Sequence, residues 1–257
     1  MVLALFLVPG IVHMLTGALS AEGIFYGTLS SSTVLRHLVL ADPFAALEVL
    51  AASKQLPAPF LLIGAGLVAL FYAIIRARAF CGWICPVGLF MEIVDVIPGR
   101  TRNNKAISAP RYTKVVVAGG VLVLSALTAL PVFELVSPIG ALSRGLVLGT
   151  ALGFWSLVAV IVLEFSFSGR PWCRSLCPLG GFYELVGYLG FVRIKAHTGC
   201  TACDRCKQVC LANPRILDPV ITGEATSVVA GDCMLCARCV AVCPHAVLHT
   251  GLSLPFT

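Results

Sequence analysis

Charge is what this chain has least of. Of its 257 residues only 12 % are Asp, Glu, Lys or Arg, where a soluble globular domain carries about 25 %. That excludes an ordinary water-covered surface. It also excludes the soluble basic face that nucleic acid would need, despite the net charge of +6. Histidine is scarce as well, five in all. The long apolar stretches offer only His13, so a haem between two facing imidazoles has no ligand pair. The chain is instead 58 % hydrophobic, with a mean hydropathy of +0.96, and it carries twelve cysteines.

Hydropathy marks four candidate membrane spans, roughly 2–19, 59–75, 115–132 and 146–165, each near the ~20 residues that a bilayer crossing needs. Basic residues crowd the loop between the second and third: Arg76, Arg78, Arg100, Arg102, Lys105, Arg111 and Lys114. More follow the fourth: Arg170, Arg174, Arg193, Lys195, Arg205 and Lys207. The opposite loops hold only Arg36, Lys54 and Arg144. Positive residues stay inside, so the expectation is a multi-pass protein of the cell inner membrane with both termini cytoplasmic. Ala18-Leu19-Ser20 also resembles a signal-peptide cleavage site, but no basic segment precedes it and cleavage would leave an odd number of spans. In a reducing cytoplasm, twelve cysteines argue for metal and redox work rather than disulfides.

Two cysteine runs near the C-terminus carry the clearest chemistry. They are Cys200-x2-Cys203-x2-Cys206-x3-Cys210 and Cys233-x2-Cys236-x2-Cys239-x3-Cys243-Pro244. This spacing wraps a chain around a [4Fe–4S] cluster, with the fourth cysteine of each run ligating the other cluster. Cys200, Cys203, Cys206 and Cys243 are therefore expected on one cluster, and Cys233, Cys236, Cys239 and Cys210 on the second. Zinc also accepts C-x2-C, but two complete four-cysteine runs favour iron–sulfur cubes. Cys210 is followed by Leu211 where the bacterial ferredoxin pattern has proline.

The preceding region is duplicated. Cys81-Gly-Trp-Ile-Cys85-Pro86-Val-Gly88-Leu-Phe90-Met-Glu92-Ile-Val94 recurs as Cys173-Arg-Ser-Leu-Cys177-Pro178-Leu-Gly180-Gly-Phe182-Tyr-Glu184-Leu-Val186. Upstream, Asp42-Pro43-Phe44-Ala45-Ala46-Leu47 is matched by Ser137-Pro138-Ile139-Gly140-Ala141-Leu142. Each unit reads as a helical hairpin, an outer Pro-containing loop, an inner Cys motif and a short amphipathic helix. Two such units suggest pseudo-twofold packing. Cysteines four apart share a helix face, so Cys81, Cys85, Cys173 and Cys177 can meet around one site. A third iron–sulfur cluster, a redox-active dithiol pair and a purely structural role all stay open at this point.

The expected fold is thus an all-α membrane protein of four transmembrane helices in two repeated hairpins (about 1–98 and 111–190, together 1–190), plus a small cytoplasmic α+β two-cluster ferredoxin domain over 191–257. The C-x3-C-P duplication, the four spans and the two-cluster module together resemble the NapH-type family of ferredoxin-like membrane quinol dehydrogenase subunits from periplasmic nitrate reductase systems. The resemblance implies quinol oxidation and delivery of electrons to another iron–sulfur or cytochrome subunit of a respiratory complex, with membrane lipid and quinone as further partners. Two other functions compete: electron input from a cytoplasmic donor to the quinone pool, and a non-catalytic assembly or redox-regulatory role. Quinol oxidation needs proton acceptors, and intramembrane carboxylates are costly enough to suggest function. Glu164, Glu92 and Glu184 are the candidates, with Glu134 and His13 behind them. Each has a plainer reading, as an ion-pair partner, an interface residue or a packed polar group. Trp83, Trp172, Tyr183 and Tyr188 read as an aromatic belt or as quinone-pocket lining. Arg193, Lys195, Arg205, Lys207 and Arg238 lie near the cluster runs, where they can raise a potential or dock an acidic partner.

Overall fold

A computed structural model describes residues 25–27, 31–34, 38–96, 110, 112–141, 154–167, 170–197 and 199–254. Strands β1 (Phe25–Gly27), β2 (Ser31–Val34) and β3 (Leu38–Ala41) form an antiparallel meander. Helix α1 (Pro43–Ser53) follows at once. Asp42 caps it by accepting from Phe44 N–H at 3.2 Å, and Pro43 presets the φ of its first turn. It ends where Lys54 turns left-handed (φ 53°). Helices α2 (Pro59–Ile75), α3 (Ala79–Trp83) and α4 (Pro86–Val96) complete the first unit. The second unit holds α5 (Thr113–Thr128), α6 (Val132–Val136), α7 (Phe154–Ser166), a π-helical segment at Trp172–Leu176, and α8 (Pro178–Gly187). Strand β4 (Val192–Ala196) then pairs antiparallel with β5 (Leu248–Leu252), with Ile194 opposite Thr250. Between them lie the short helices α9 (Arg205–Gln208), α10 (Asp218–Ile221) and α11 (Arg238–Ala241).

The all-α membrane architecture with four transmembrane helices is not what the structure shows. Among the described residues no helix is long and apolar enough to cross a membrane. Helices of 17 and 16 residues stand where the second and third spans were expected, and of the fourth only the part from Phe154 on is described, in α7. At ~1.5 Å per residue even the longest reaches only about 26 Å, short of the ~30 Å hydrocarbon layer. The first span and His13 lie outside the described residues. The stops are local: Arg76 leaves helical geometry at the end of α2, and Ala129 turns left-handed (φ 55°) two residues before Pro131. Strands are not confined to the C-terminal part either, since the β1–β3 meander precedes α1. The inside–outside division fails as well. Asp42, expected in an outer loop, accepts a hydrogen bond from Tyr183 Oη at 3.2 Å on a helix expected at the inner surface. Several basic residues counted as topology markers are interior: Arg76, Arg78 and Lys114 are at most 1 % exposed.

Among the described residues two large apolar cores form, beside a small cluster of Ala41, Ala46 and Ala65. One gathers Phe44, Tyr72, Phe80, Val87, Met91 and Tyr183 between the two units. Helices α8 and α5 approach so closely there that a Cβ on Gly181 would stand 2.2 Å from the Lys114 carbonyl oxygen. The other gathers Ile194, Ile216, Leu217, Val220, Val228 and Met234 beneath the β4–β5 ribbon. Cys81 packs against both cores, so the joint between them falls at the first C-x3-C-P motif.

Candidate metal centres

The two C-terminal cysteine loops share one backbone design. The residue before the second cysteine and the residue after it are left-handed in both: Ala202 (φ 50°) and Asp204 (φ 57°), Leu235 (φ 50°) and Ala237 (φ 56°). None is glycine, so each conformation costs about 1 kcal/mol or more. Alternating right- and left-handed residues turn successive N–H groups inward, the nest that binds anions and iron–sulfur clusters. Cys200, Cys203, Cys206 and Cys243 line one pocket. Cys243 therefore crosses from the second run into the first site. Burial raises its thiol, but backbone donors from Leu248, Val247, His245 and Ala246 outweigh this and hold it below the usual range.

The reciprocal set also assembles. Cys233 and Cys236 both act on Cys210, and Cys233, Cys236 and Cys210 act on Cys239. Burial, reinforced by the neighbouring sulfurs, pushes Cys210 and Cys239 up to about 12. Thiols held neutral in this way would release their protons on binding metal. Among the described residues no three His, Cys, Asp or Glu side chains converge closely enough to share a single ion.

Cys81, Cys173 and Cys177 stand close enough to Cys85 to raise it further after burial has already done so. The four C-x3-C-P cysteines thus lie near one another. Each motif ends in the same device. Cys177 caps α8, its Sγ accepting from Gly180 N–H at 3.4 Å, with Pro178 in the first turn. Cys85 receives Gly88 N–H in the same way ahead of α4. A helix N-terminus with an inward N–H favours a thiolate. Burial still dominates at Cys177, which is pushed up to about 12.

The junction between this site and the ferredoxin loops is built from residues interleaved with the cysteines. Arg78 donates to Asp232 Oδ1 at 2.5 Å, to the Asp232 carbonyl at 3.1 Å and to the Cys173 carbonyl at 2.9 Å. Arg174 donates to the Cys210 carbonyl at 2.9 Å and to that of Leu211 at 3.3 Å. Trp83 Nε1–H reaches the Leu235 carbonyl at 3.0 Å. Gly82 lies so near that a Cβ there would meet Met234 O at 2.8 Å and Cys236 Cβ at 3.5 Å. Arg76 bonds the carbonyls of Val228 (3.1 Å), Ala230 and Val192. Lys114 pairs with Asp232 and, at 3.0 Å, with Glu184. These buried ions hold the loop of Cys233 directly on the C-x3-C-P site.

The sequence candidates for proton acceptance are not gathered in one place. Glu164 is buried, and its Oε1 accepts from Trp172 N–H at 3.3 Å at the head of the segment carrying Cys173. Glu184 is buried on Lys114. Glu92 is exposed and pairs with Arg238 of α11. Glu134 is partly buried, its N–H bonded to Glu48. Tyr183 is 2 % exposed and belongs to the core rather than to a belt, whereas Trp83 is exposed. Lys207 and Arg238 are engaged by Asp204 and Asp218 and by Glu92 respectively, so their charges are answered locally. Sequence reading missed Arg78, Lys114 and Asp232 as a network. The available signals were a basic pair three and five residues ahead of Cys81 and an acid immediately before Cys233. It also missed Asp42 and the buried Glu48, which accepts from Ser125 Oγ at 3.0 Å and Phe133 N–H at 2.8 Å.

Cysteine loops built on such nests, as in the pocket lined by Cys200, Cys203, Cys206 and Cys243, define a ferredoxin-type iron–sulfur protein. A family model described as a 4Fe–4S binding domain matches residues 57–105 and 148–197. Those are the two repeated segments with the C-x3-C-P motifs, not the C-terminal runs. The chain is 37 % identical over 241 residues to the methylamine utilization ferredoxin-type protein MauN of Methylorubrum extorquens, covering 91 % of this chain and 82 % of that one. It is 32 % identical over 237 residues to the ferredoxin-type protein NapH of Escherichia coli, again covering 91 % and 82 %. The chain belongs to this family of ferredoxin-type iron–sulfur proteins. No solved structure matches it.

Proposed function

We propose that the chain is the electron-transferring iron–sulfur subunit of a membrane redox complex, oxidising quinol and passing electrons to a partner iron–sulfur or cytochrome subunit. The observation that carries this reading is the contact in series of three cysteine cradles. Cys81, Cys85, Cys173 and Cys177 hold one cluster. Cys233, Cys236, Cys239 and Cys210 hold the next, and Cys200, Cys203, Cys206 and Cys243 the last. Bound there, [4Fe–4S] clusters supply one-electron acceptance and release. The chain's own residues set the order and the spacing. Arg78, Gly82, Trp83 and Arg174 lock the first two cradles together, and Cys210 and Cys243 interlace the second with the third. The family match over both C-x3-C-P segments supports a cluster at the first cradle over a dithiol.

Lipid contact is supported by the exposed apolar side chains along α2 and α5, among them Phe60, Ile63, Leu70, Phe71, Val123 and Leu127. Quinol is the electron donor that dissolves in such surroundings. Glu164 and Glu184, buried beside the second motif, are on hand for its protons, and the exposed Glu92 is suited to releasing them. The reverse direction, from a soluble donor toward quinone, is favoured by one observation: Cys200 and Cys203 are exposed, so the last cradle is open to a docking carrier. Anaerobic addition of menaquinol to the oxidised protein, followed by EPR, decides between them. A cluster signal within seconds supports quinol oxidation. No signal with quinol but full signals with dithionite rejects it in favour of input from a soluble donor.

A further inference from the structure

The duplication contains its own control. Asp42 and Ser137 occupy equivalent places ahead of Pro43 and Pro138, Asp42 capping α1 and Ser137 capping the helical turn at 138–141. Asp42 accepts from Phe44 N–H, and Ser137 Oγ accepts from Gly140 N–H at 3.2 Å. Capping therefore needs no carboxylate. Asp42 does something Ser137 does not: it also accepts from Tyr183 Oη at 3.2 Å. The equivalent of Tyr183 in the first unit is Met91, which is buried and has no hydroxyl. This polar pair is therefore formed in one unit and has no counterpart at the equivalent position of the other.

That pair lies in the aromatic core beside the C-x3-C-P site. The Tyr183 ring packs 5.6 Å from Tyr72, 5.8 Å from Phe80 and 5.7 Å from Phe182, and Phe80 precedes Cys81. The groups acting on Asp42 from its surroundings are Tyr183 on α8, Glu134 on α6 and Glu48 on its own helix α1. Among the described residues none of these is a cation, in contrast to Glu184 on Lys114. Tyr183 in turn feels Asp42, Tyr72 and Cys81. Glu48 is engaged by Ser125, Phe133 N–H and Glu134 N–H.

Resting on the reading that Cys81, Cys85, Cys173 and Cys177 hold a cluster, we propose that Asp42 and Tyr183 form its proton-accepting pair. For each electron that a quinol-class or inorganic reductant delivers to that site, one proton from the quinol or from water adds to the Asp42 carboxylate. Both leave together on reoxidation, so charge balances in each direction. Tyr183 Oη–H stabilises the carboxylate in the oxidised state and connects it to the cluster side of the core. Burial, opposed by the bonds from Phe44 N–H and Tyr183, already raises Asp42 to about 7, which places the window just above neutrality.

The test is EPR-monitored redox titration of the full cluster-loaded protein at a series of pH values, for wild type, Asp42→Asn, Tyr183→Phe and Ser137→Ala. Asparagine keeps the cap and phenylalanine keeps the ring, so both variants are expected to fold. Above pH ~7 the wild-type equilibrium constant for reducing this one centre falls tenfold per pH unit, which is 59 mV for one electron. Asp42→Asn flattens that slope, Tyr183→Phe moves its onset to higher pH, and Ser137→Ala leaves it unchanged. Redox-difference infrared spectra show a carboxylic C=O band in wild type that Asp42→Asn lacks. A wild-type signal with no slope, or an unaltered slope in Asp42→Asn, overturns the pair's role and leaves the cluster assignment standing. Absence of the third EPR centre in wild type overturns the cluster assignment and the proposal with it.

Discussion

Replacing Arg78 by methionine removes the guanidinium that bridges the first two cradles while keeping comparable apolar bulk. Arg78 is 1 % exposed and makes three hydrogen bonds: two to Asp232 and one to the Cys173 carbonyl. Breaking a buried ion pair by removing one partner costs ~3–5 kcal/mol. Each charge-assisted bond to a carbonyl contributes ~1.5–3 kcal/mol. All three bonds depend on one group, so these figures overlap, and a loss of about 5 kcal/mol is expected. Lys114 still faces Asp232 and limits the loss to that range. In a chain of this size 1 kcal/mol moves Tm by ~2–4 °C, so the variant should melt about 10–20 °C lower. Arg78→Lys restores the charge on Asp232 but not the fork to Cys173, and should recover roughly half of the loss. The control is Arg238→Ala, whose pair with Glu92 is 36 % and 50 % exposed and is worth under about 1 kcal/mol. The assay is thermal unfolding by circular dichroism, with EPR spin–spin broadening as a second readout of the cluster separation. Equal melting of Arg78→Met and Arg238→Ala, with the broadening intact, refutes the junction as described.

Four further outcomes follow from the geometry. Cys243→Ser should remove the EPR centre of the Cys200 loop and spare that of the Cys233 loop, with Cys210→Ser doing the reverse; loss of the same centre in both variants rejects the interlacing. Changing Cys81 and Cys173 to serine together should lower bound iron from about twelve to about eight atoms per chain, counting four per cube, while an unchanged count removes the first cradle from the cluster assignment. Gly181→Ala, whose Cβ would sit 2.2 Å from a backbone oxygen, should cost ~1–3 kcal/mol or more through overpacking; Gly66→Ala, with nothing within 4 Å, should stabilise α2 by ~0.5–1 kcal/mol. Lys114 is lowered to about 8 from 10.5, by burial first and Arg78 second. At this group the unfolded chain therefore binds more protons between those values, so the Lys114 contribution to the unfolding free energy rises with pH across pH 8–10.5, by about 3 kcal/mol at 1.36 per unit, against the opposite slope of the raised thiols. Over that range the unfolding free energy of wild type minus that of Lys114→Met should rise with pH, and a difference that stays flat would exclude the Lys114 contribution.

What the sequence by itself determined is what depends on near neighbours. The spacing of the two C-terminal runs carries the proposed sharing of cysteines between cradles, because a turn of two residues fixes the reach of three sulfurs and an extra residue carries the fourth away. The same logic exposed the duplication, and with it the meeting of Cys81, Cys85, Cys173 and Cys177. Proline after Cys85 and Cys177 announced the helices that both sulfurs cap. Hydropathy was a poorer guide. It measures how apolar a segment is, not what lies against it, so segments 59–75 and 115–132 read as membrane spans although their helices stop at Arg76 and Ala129. Charge counting failed for a related reason: it treats Arg76, Arg78 and Lys114 as independent markers of a side, whereas their partners lie far off in sequence, up to 154 residues away. Those pairings are two-body facts that no local window contains. Tertiary structure alone brought Asp232 to Arg78 and Lys114, and Asp42 to Tyr183 across 141 residues. A buried charge tolerates only the few positions where an opposite charge or a hydrogen bond meets it, and the packing of the two units decides where those positions are.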